Sequence, residues 1–304
     1  MYRAIVTGGA GFIGSHVVDR LVKDGYEVIV IDNESSECNN EFYYNNKAEY
    51  YKYDIEDYNS IEPLFKGVDY VFHLAAESRI QPTMDRPAKA CMTNIVGTCN
   101  ILEASRRNNI KRVMYSSTSS AYGLKNKIPL NETMQRDCLN PYSVTKVAAE
   151  DLCKMYYTLY GLETVVFRYF NVYGERQPLK GQYAPVVGLF LEMKKAKKPM
   201  TVVGDGLQTR DYTYVKDVVE ANILAMLSTN ENIFAEIFNV GTGTNSSVLD
   251  LVSMIEGDHV HLPKRLGEAR DTLANNNKIV NALGWQPRET IDNWITKYKK
   301  ENNI

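Results

Sequence analysis

The sequence predicts an α/β protein: a doubly wound parallel sheet followed by a smaller mixed α/β lobe. Three observations carry that expectation. Short apolar runs alternate with helical patterns through the first 170 residues. The first run breaks into a glycine-rich turn and then an amphipathic stretch. Beyond residue 170 the elements shorten and the connections lengthen. Alternation of strand and helix lays successive strands in parallel and covers both faces of the sheet. The expected division is 1–170 for the sheet domain and 171–304 for the second lobe, with some later segments returning to the sheet.

The elements follow in order. Runs rich in Val, Ile, Tyr and Phe predict strands at 2–7, 27–31, 49–53, 69–74, 111–116 and 163–168. Helical spacing predicts helices at 12–24, 58–66, about 87–108 and 141–160. Cys38 to Tyr53, crowded with Asn, Tyr, Lys and Glu, reads as a loop over a ligand edge followed by a strand. In the second lobe, Pro178 to Gln182 reads as a loop. Helices are expected at 184–196, 217–228, 246–255, 276–283 and 290–300. His259 and His261 alternate with Val260 and Leu262, which predicts a strand with one polar face.

Composition excludes several classes. Hydrophobic residues make up 44% of the 304-residue chain and charged ones 24%, as in an ordinary globular protein. A net charge of -2 gives no global attraction to nucleic acid or to a membrane surface. No apolar run approaches the ~18 residues of a membrane span, and no basic-then-apolar leader precedes the first strand. The five cysteines (Cys38, Cys91, Cys99, Cys138, Cys153) are odd in number and form no C-x-x-C pair. That suits a reduced, cytoplasmic setting. The four histidines make no metal cluster, so no metal is expected.

The glycine turn is the first chemical signal. Gly8, Gly11 and Gly14 follow the first strand at Gly-x-x-Gly-x-x-Gly spacing and open a helix with Phe12 and Ile13. Such a turn lets backbone approach a pyrophosphate, and the helix start supplies free N–H groups and partial positive charge. The second strand ends in Asp32, eighteen residues past Gly14. A carboxylate there can bond both ribose hydroxyls and repels an extra 2′-phosphate, so NAD is expected over NADP.

The second signal is Tyr142-Ser-Val-Thr-Lys146. Four residues apart on a helix, the phenol and the ammonium share one face. At ~4 Å and an effective dielectric near 20, the attraction is about 4 kcal/mol, or roughly three pKa units. The expectation is therefore a phenol drawn toward neutrality, fit for proton transfer. Upstream, a predicted strand spills into Ser116 to Ser120, so Thr118 at its end completes a Thr118/Tyr142/Lys146 set. Its chemistry would be proton removal from an alcohol while hydride leaves the same carbon.

With these pieces in place the chain resembles the extended short-chain dehydrogenase/reductase family, in its nucleotide-sugar epimerase and dehydratase branch, whose sheet is of the Rossmann type. The resemblance runs nearly end to end, through TGGAGFIGSH (7–16), HLAAES (73–78), NIVGT (94–98), SSTSSAYG (116–123), YSVTK (142–146), RYFNVYG (168–174), GDGLQTRDYTYVKDV (204–218), FNVGTG (238–243) and LGWQP (283–287). It implies a tightly held NAD and a nucleoside-diphosphate sugar, UDP by the branch. Thr118, Tyr142 and Lys146 would be catalytic. Gly8, Gly11, Phe12, Ile13, Gly14, Asp32, Asn33, Asp54, Ile55, Leu74, Ala75, Ala76 and Asn94 would contact NAD, together with Tyr142 and Lys146. Ser119, Ser120, Asn171, Arg210, Arg270 and Thr272 would hold the substrate, the arginines on its diphosphate. A homodimer through the helices at 87–108 and 141–160 is also implied, with Ala88, Cys91, Met92, Ile95, Val144, Val147, Ala148 and Met155 as apolar positions.

The resemblance also orders the possible reactions. In the 4,6-dehydratases an Asp and a Glu follow the Thr, and the related decarboxylases carry a Glu two residues after it. Here Ser119 and Ser120 stand there, which favours 4-epimerisation through a transient 4-keto sugar. The string HLAAES, with Glu77 and Ser78, is shared with the dehydratases. Thr272, shortly before Ala274 to Lys278, falls where a small side chain admits 2-acetamido sugars, so UDP-N-acetylglucosamine is expected to fit and UDP-glucose with it. A uronate would need a cation for its carboxylate; Arg79 and Lys264 are the candidates.

Overall fold

The computed structural model describes residues 2–37, 39, 41–179, 185–264 and 269–304. Cys38, part of the expected loop at Pro178 to Gln182 and the first residue of the helix expected at 184–196 lie outside the described residues.

Seven parallel strands form the central sheet. In chain order they are β1 (Arg3–Thr7), β2 (Glu27–Ile31), β3 (Glu49–Tyr51), β4 (Tyr70–His73), β5 (Arg112–Thr118), β6 (Glu163–Tyr169) and β7 (Glu236–Val240). Their order across the sheet is β7-β6-β5-β4-β1-β2-β3. The order reverses between β1 and β4, and ligands of such sheets bind at that switch point, outside the carboxyl ends of the strands.

Side chains alternate across the sheet, as the period of two demands. Ala4 and Val6 face one core with Val17, Val18 and Leu21 of helix α1 (Phe12–Lys23). Ile5 faces the other, with Ile101 and Leu102 of α2 (Thr98–Arg107) and Ala149 and Cys153 of α3 (Pro141–Tyr160). The first core also takes Val218, Ala221 and Met226 of α4 (Val215–Leu227), Phe238 of β7, and Trp285. Chain from beyond residue 170 thus returns to cover and extend the sheet. A third core, built on Phe190, Val202, Tyr212, Leu251 and Trp294, lies in the later chain.

Several sequence expectations need correction. The helix expected at 87–108 has three parts: Pro87–Cys91, a π-turn at Met92–Gly97, and α2. A separate helix, Ile80–Asp85, precedes it. Pro87 makes the break, because the residue before a proline is pushed out of helical backbone and Arg86 sits at φ -131°, ψ 62°. The helix expected at 58–66 changes to 3₁₀ geometry at Glu62–Phe65, where Pro63 enters. His259–Leu262 is a strand, paired in parallel with Met200–Val203. Its apolar face is not covered, however: Val260 and Leu262 remain 45% and 39% exposed. It is one strand of a two-stranded ribbon whose other strand, with Met200 and Val202 buried, takes the packing.

Candidate active site

One cavity of about 570 Å³ runs along the carboxyl ends of β1, β2, β4, β5 and β6 and under the later chain. That is an ordinary volume for a cofactor and substrate cleft.

Its β1 end is a glycine cradle. Gly8 sits at φ +70°, and a Cβ there would lie 2.8 Å from the Ala75 backbone nitrogen. A Cβ on Gly14 would lie 2.1 Å from the Gly8 carbonyl oxygen. Strand end, turn and helix start can approach this closely only with glycine. Gly11 caps α1 with no side chain, so the first-turn amides of a twelve-residue helix are left for a ligand, and Gly11, Phe12, Ile13 and Gly14 all line the cavity.

Asp32 follows β2 and also lines the cavity. It accepts from Ala10 N (3.0 Å) and Glu34 N (2.8 Å). Burial raises its pKa, and those amide bonds oppose the rise. Asn33, Ile55, Leu74, Ala75 and Ala76 lie on the same wall. Asp54 and Asn94 do not; they support residues that do. Asp54 accepts from Asn33 Nδ2 at 2.9 Å. Asn94, buried in the π-turn, bonds both backbone groups of Glu77 and donates to Thr145 of α3 (2.9 Å).

A buried relay that sequence reasoning missed ties the cradle to this support. Thr98 Oγ1 donates to Asn94 O at 2.7 Å, so it accepts from His73 Nε2 at 2.9 Å. His73 Nδ1 must then accept from Thr7 Oγ1 (2.7 Å), which in turn accepts from Ala75 N (3.2 Å). The chain of bonds needs a neutral imidazole. Burial, with the charge of Lys146 nearby, pushes His73 down to about 3, so it stays neutral.

The proposed catalytic set is assembled by β5 and α3. β5 is buried throughout, and its terminal hydroxyls are satisfied within the fold. Ser116 donates to Tyr169 and Ser117 to Glu150. Thr118 Oγ1 accepts from Ser120 N at 3.1 Å. α3 begins at Asn140, whose side chain accepts from Ser143 N (2.9 Å) in a capping box, with Pro141 as its first residue. That start places Tyr142 in the first turn, within hydrogen-bonding reach of Thr118. Lys146, one turn on, is buried with Nζ 4.4 Å from the centroid of the Tyr115 ring.

The electrostatics correct the sequence expectation for this pair. The pKa of Tyr142 is raised, because burial disfavours the phenolate; Thr118 and then Arg79 pull it back. Lys146 is not among the groups that shift it. Burial instead brings Lys146 itself down to about 7, with Cys153 and Glu150 opposing. Spacing alone counted the attraction and omitted desolvation.

Substrate-side residues divide. Ser119, Ser120, Asn171, Arg210 and Thr272 line the cavity. Arg270 does not: its guanidinium pairs with Asp205 at 2.8 Å on the surface, and its carbonyl accepts from Arg210. Arg79 lines the cavity, whereas Lys264 is exposed and outside it. Sequence reasoning did not single out Gln208 and Tyr212, although both lie in the matching string at 204–218. They stand on the wall, and the Tyr212 hydroxyl is buried without a partner.

The model of the NAD dependent epimerase/dehydratase family matches residues 4–241. The chain belongs to that family. It is 37% identical to the UDP-glucose 4-epimerase of Thermotoga maritima solved with UDP-glucose; the match covers 99% of this chain and 100% of that one, at a TM-score of 0.92. The UDP-N-acetylglucosamine 4-epimerase of Methanobrevibacter ruminantium, solved with UDP-N-acetylmuramic acid, superposes at a TM-score of 0.90 with 31% identity and covers 99% of each chain. The UDP-glucose 4-epimerase of Mycolicibacterium smegmatis is 36% identical over 307 residues, 97% of this chain and 96% of that protein. NAD is the family's cofactor, and the glycine cradle, uncapped α1 and Asp32 fit it.

Proposed function

We propose that the protein is an NAD-dependent UDP-sugar 4-epimerase. The observation that carries this is what stands beside Thr118. Ser119 and Ser120 line the cavity next to it, and neither can exchange protons with sugar carbons near neutral pH. Among the described residues the carboxylates on the wall are Asp32 and Glu77, both on other loops. Tyr142 is thus the proton carrier for the sugar's 4-hydroxyl.

When bound, NAD supplies a reversible hydride acceptor for carbon 4. The chain's own residues do the rest. Gly8, Gly11 and Gly14 admit the pyrophosphate and Asp32 takes the adenosine ribose. Tyr142 receives the 4-hydroxyl proton and later returns it. Thr118 bonds the phenol and lowers the cost of its anion, and Arg79 adds positive charge. Lys146, buried under Tyr142's helical turn, serves as a cofactor-side donor. Thr118, Ser119 and Ser120 present hydroxyls to the sugar; Asn171 and Arg210 hold the nucleotide end. Arg270, turned to the surface, acts through its carbonyl contact with Arg210.

For the sugar, Thr272 supports a 2-acetamido substrate such as UDP-N-acetylglucosamine, with UDP-glucose accepted as well. Thr272 lines the cavity with a small side chain whose Oγ1 is already bonded by Asp211 N (3.3 Å). Glu77 on the wall favours, as a second reading, the related dehydratase, decarboxylase or reductase chemistry. That would show as a 4-keto product, carbon dioxide or NADH consumption. We also propose a cytoplasmic homodimer through the 87–108 segment and α3, where Ala88, Cys91, Met92 and Val144 are exposed while Val147 is buried. Sedimentation of the purified protein at twice the chain mass supports it; a monomer at micromolar concentration refutes it.

Purified protein incubated separately with UDP-glucose, UDP-N-acetylglucosamine and UDP-glucuronate, with no added NAD or NADH, tests the reaction. A 4-epimer in the NMR spectrum is expected, since the cofactor is regenerated each cycle. Its absence with all three sugars overturns the reading.

A further inference from the structure

Three cations stand on the cavity wall among the described residues: Arg79, Lys146 and Arg210. Two of them are engaged. Lys146 sits against the Tyr115 ring, and Arg210 donates to the carbonyls of Thr209 and Arg270. The Arg79 carbonyl accepts from Thr83 N, but its guanidinium has no hydrogen bond or ion pair among the described residues, and its Nε is buried without a partner. Glu77, two residues earlier on the same wall, does not pair with it. A guanidinium carries five donors in a fixed fork, and a buried N–H left unbonded is costly. An orphan of this kind inside a ligand cavity marks the place of an anion the fold itself does not supply.

Its position says which anion. Arg79 follows β4 and precedes the helix Ile80–Asp85, close to the switch point of the sheet. Its charge is felt at the Tyr142 phenol, so the guanidinium lies toward the reacting sugar and not at the Asp32 end. Arg210 already provides a cation for the diphosphate. That leaves Arg79 for a negative group nearer the sugar ring.

We propose that Arg79 is a specificity-determining residue that selects UDP-sugars bearing a carboxylate on the sugar, the uronate class, by a charge-assisted forked hydrogen bond. The inference rests on the UDP-sugar reading above and narrows it. It leaves Thr272 its role at the 2-substituent, so a 2-acetamido uronate satisfies both residues.

Calorimetric titration of the NAD-loaded protein with UDP, UDP-glucose and UDP-glucuronate tests this, on wild type, Arg79→Gln and Arg79→Lys. Hydrogen bonds to charged groups predict that wild type binds UDP-glucuronate about 10- to 100-fold tighter than UDP-glucose. Arg79→Gln should bring that ratio close to one while UDP and UDP-glucose bind as before, and Arg79→Lys should keep part of it. A wild-type ratio near one overturns the proposal. So does an Arg79→Gln variant that weakens all three ligands alike, because the guanidinium would then serve the diphosphate or the fold. NMR on the same samples reports 4-epimer formation separately. On wild type, a preference for UDP-glucuronate without turnover of any sugar faults the epimerase reading, and turnover without that preference faults this one.

Discussion

Replacing Glu150 by Ala tests how the fold holds the catalytic helix against β5. The Glu150 carboxylate accepts from Arg168 Nε at 2.9 Å and Nη2 at 2.7 Å, and from Ser117 Oγ at 2.5 Å. Both side chains of the ion pair are essentially inaccessible, at 1% and 0%. Removing the carboxylate leaves a guanidinium buried without its counter-charge, which costs about 3–5 kcal/mol. For a chain of 304 residues, an unfolding entropy of ~2.1 cal/mol/K per residue sums to about 0.6 kcal/mol/K, so Tm should fall by roughly 5–8 °C. Glu150 also opposes the depression of Lys146, so without it Lys146 gives up its proton at lower pH, and the high-pH limb set by that donor should move down in pH while the protein also becomes less stable. Scanning calorimetry reads the first effect and a pH–rate profile the second. The double change Glu150→Leu with Arg168→Met removes both charges and should recover most of the lost stability. Arg136 Nη2 also approaches the carboxylate at 3.6 Å and is itself partly exposed, so the buried cost falls on Arg168; a single variant within ~1 kcal/mol of wild type would refute the argument that Arg168 depends on Glu150 for its counter-charge.

Other expectations follow from the same geometry. Tyr142→Phe should abolish turnover while NAD stays bound, and wild-type rates in that variant would sink the proton-transfer role. Thr118→Val removes a bond that favours the phenolate, so kcat should fall by about 10²-fold, within the range for proton-transfer groups, with the low-pH limb, where Tyr142 must give up its proton to act as a base, displaced upward; an unchanged profile contradicts it. Lys146 is held near 7, whereas an unfolded lysine titrates near 10.4. Between those values the unfolded chain binds the extra proton, so the stability Lys146 contributes rises with pH across that window. Urea titrations at pH 7 and 9.5 should show wild type gaining on Lys146→Met, and parallel curves would refute the shift. Asp32→Asn should weaken NAD about tenfold, the scale of one charge-assisted bond, and narrow the preference over NADP. Equal discrimination before and after would remove Asp32 from the ribose.

What was legible in the sequence was local. Gly8, Gly11 and Gly14 announce themselves because the turn, the phosphate approach and the helix start fall within seven residues. Tyr142 and Lys146 share a face for the same reason, and Thr118 ends a strand whose run is visible. What escaped depends on packing between distant segments. β7 comes from residues 236–240 yet pairs with β6, and nothing in its five residues names that partner. The π-turn at Met92–Gly97 and the relay through His73 arise because Asn94, Thr98, His73 and Thr7 meet in one buried line. The direction of the Tyr142 shift was misjudged because burial, absent from a spacing argument, outweighs a nearby charge. Arg270 and Arg79 exchanged prominence for a related reason: Asp205 draws one to the surface, and the loop after β4 turns the other inward.

The central claim is that a hydride leaves carbon 4 and comes back to its other face while Tyr142 handles only the hydroxyl proton. The direct measurement is NMR of the epimerisation run in D₂O with no added cofactor. The account predicts a 4-epimer that keeps its original hydrogen on carbon 4. Deuterium at carbon 4, or no epimer from any UDP-sugar offered, would contradict it.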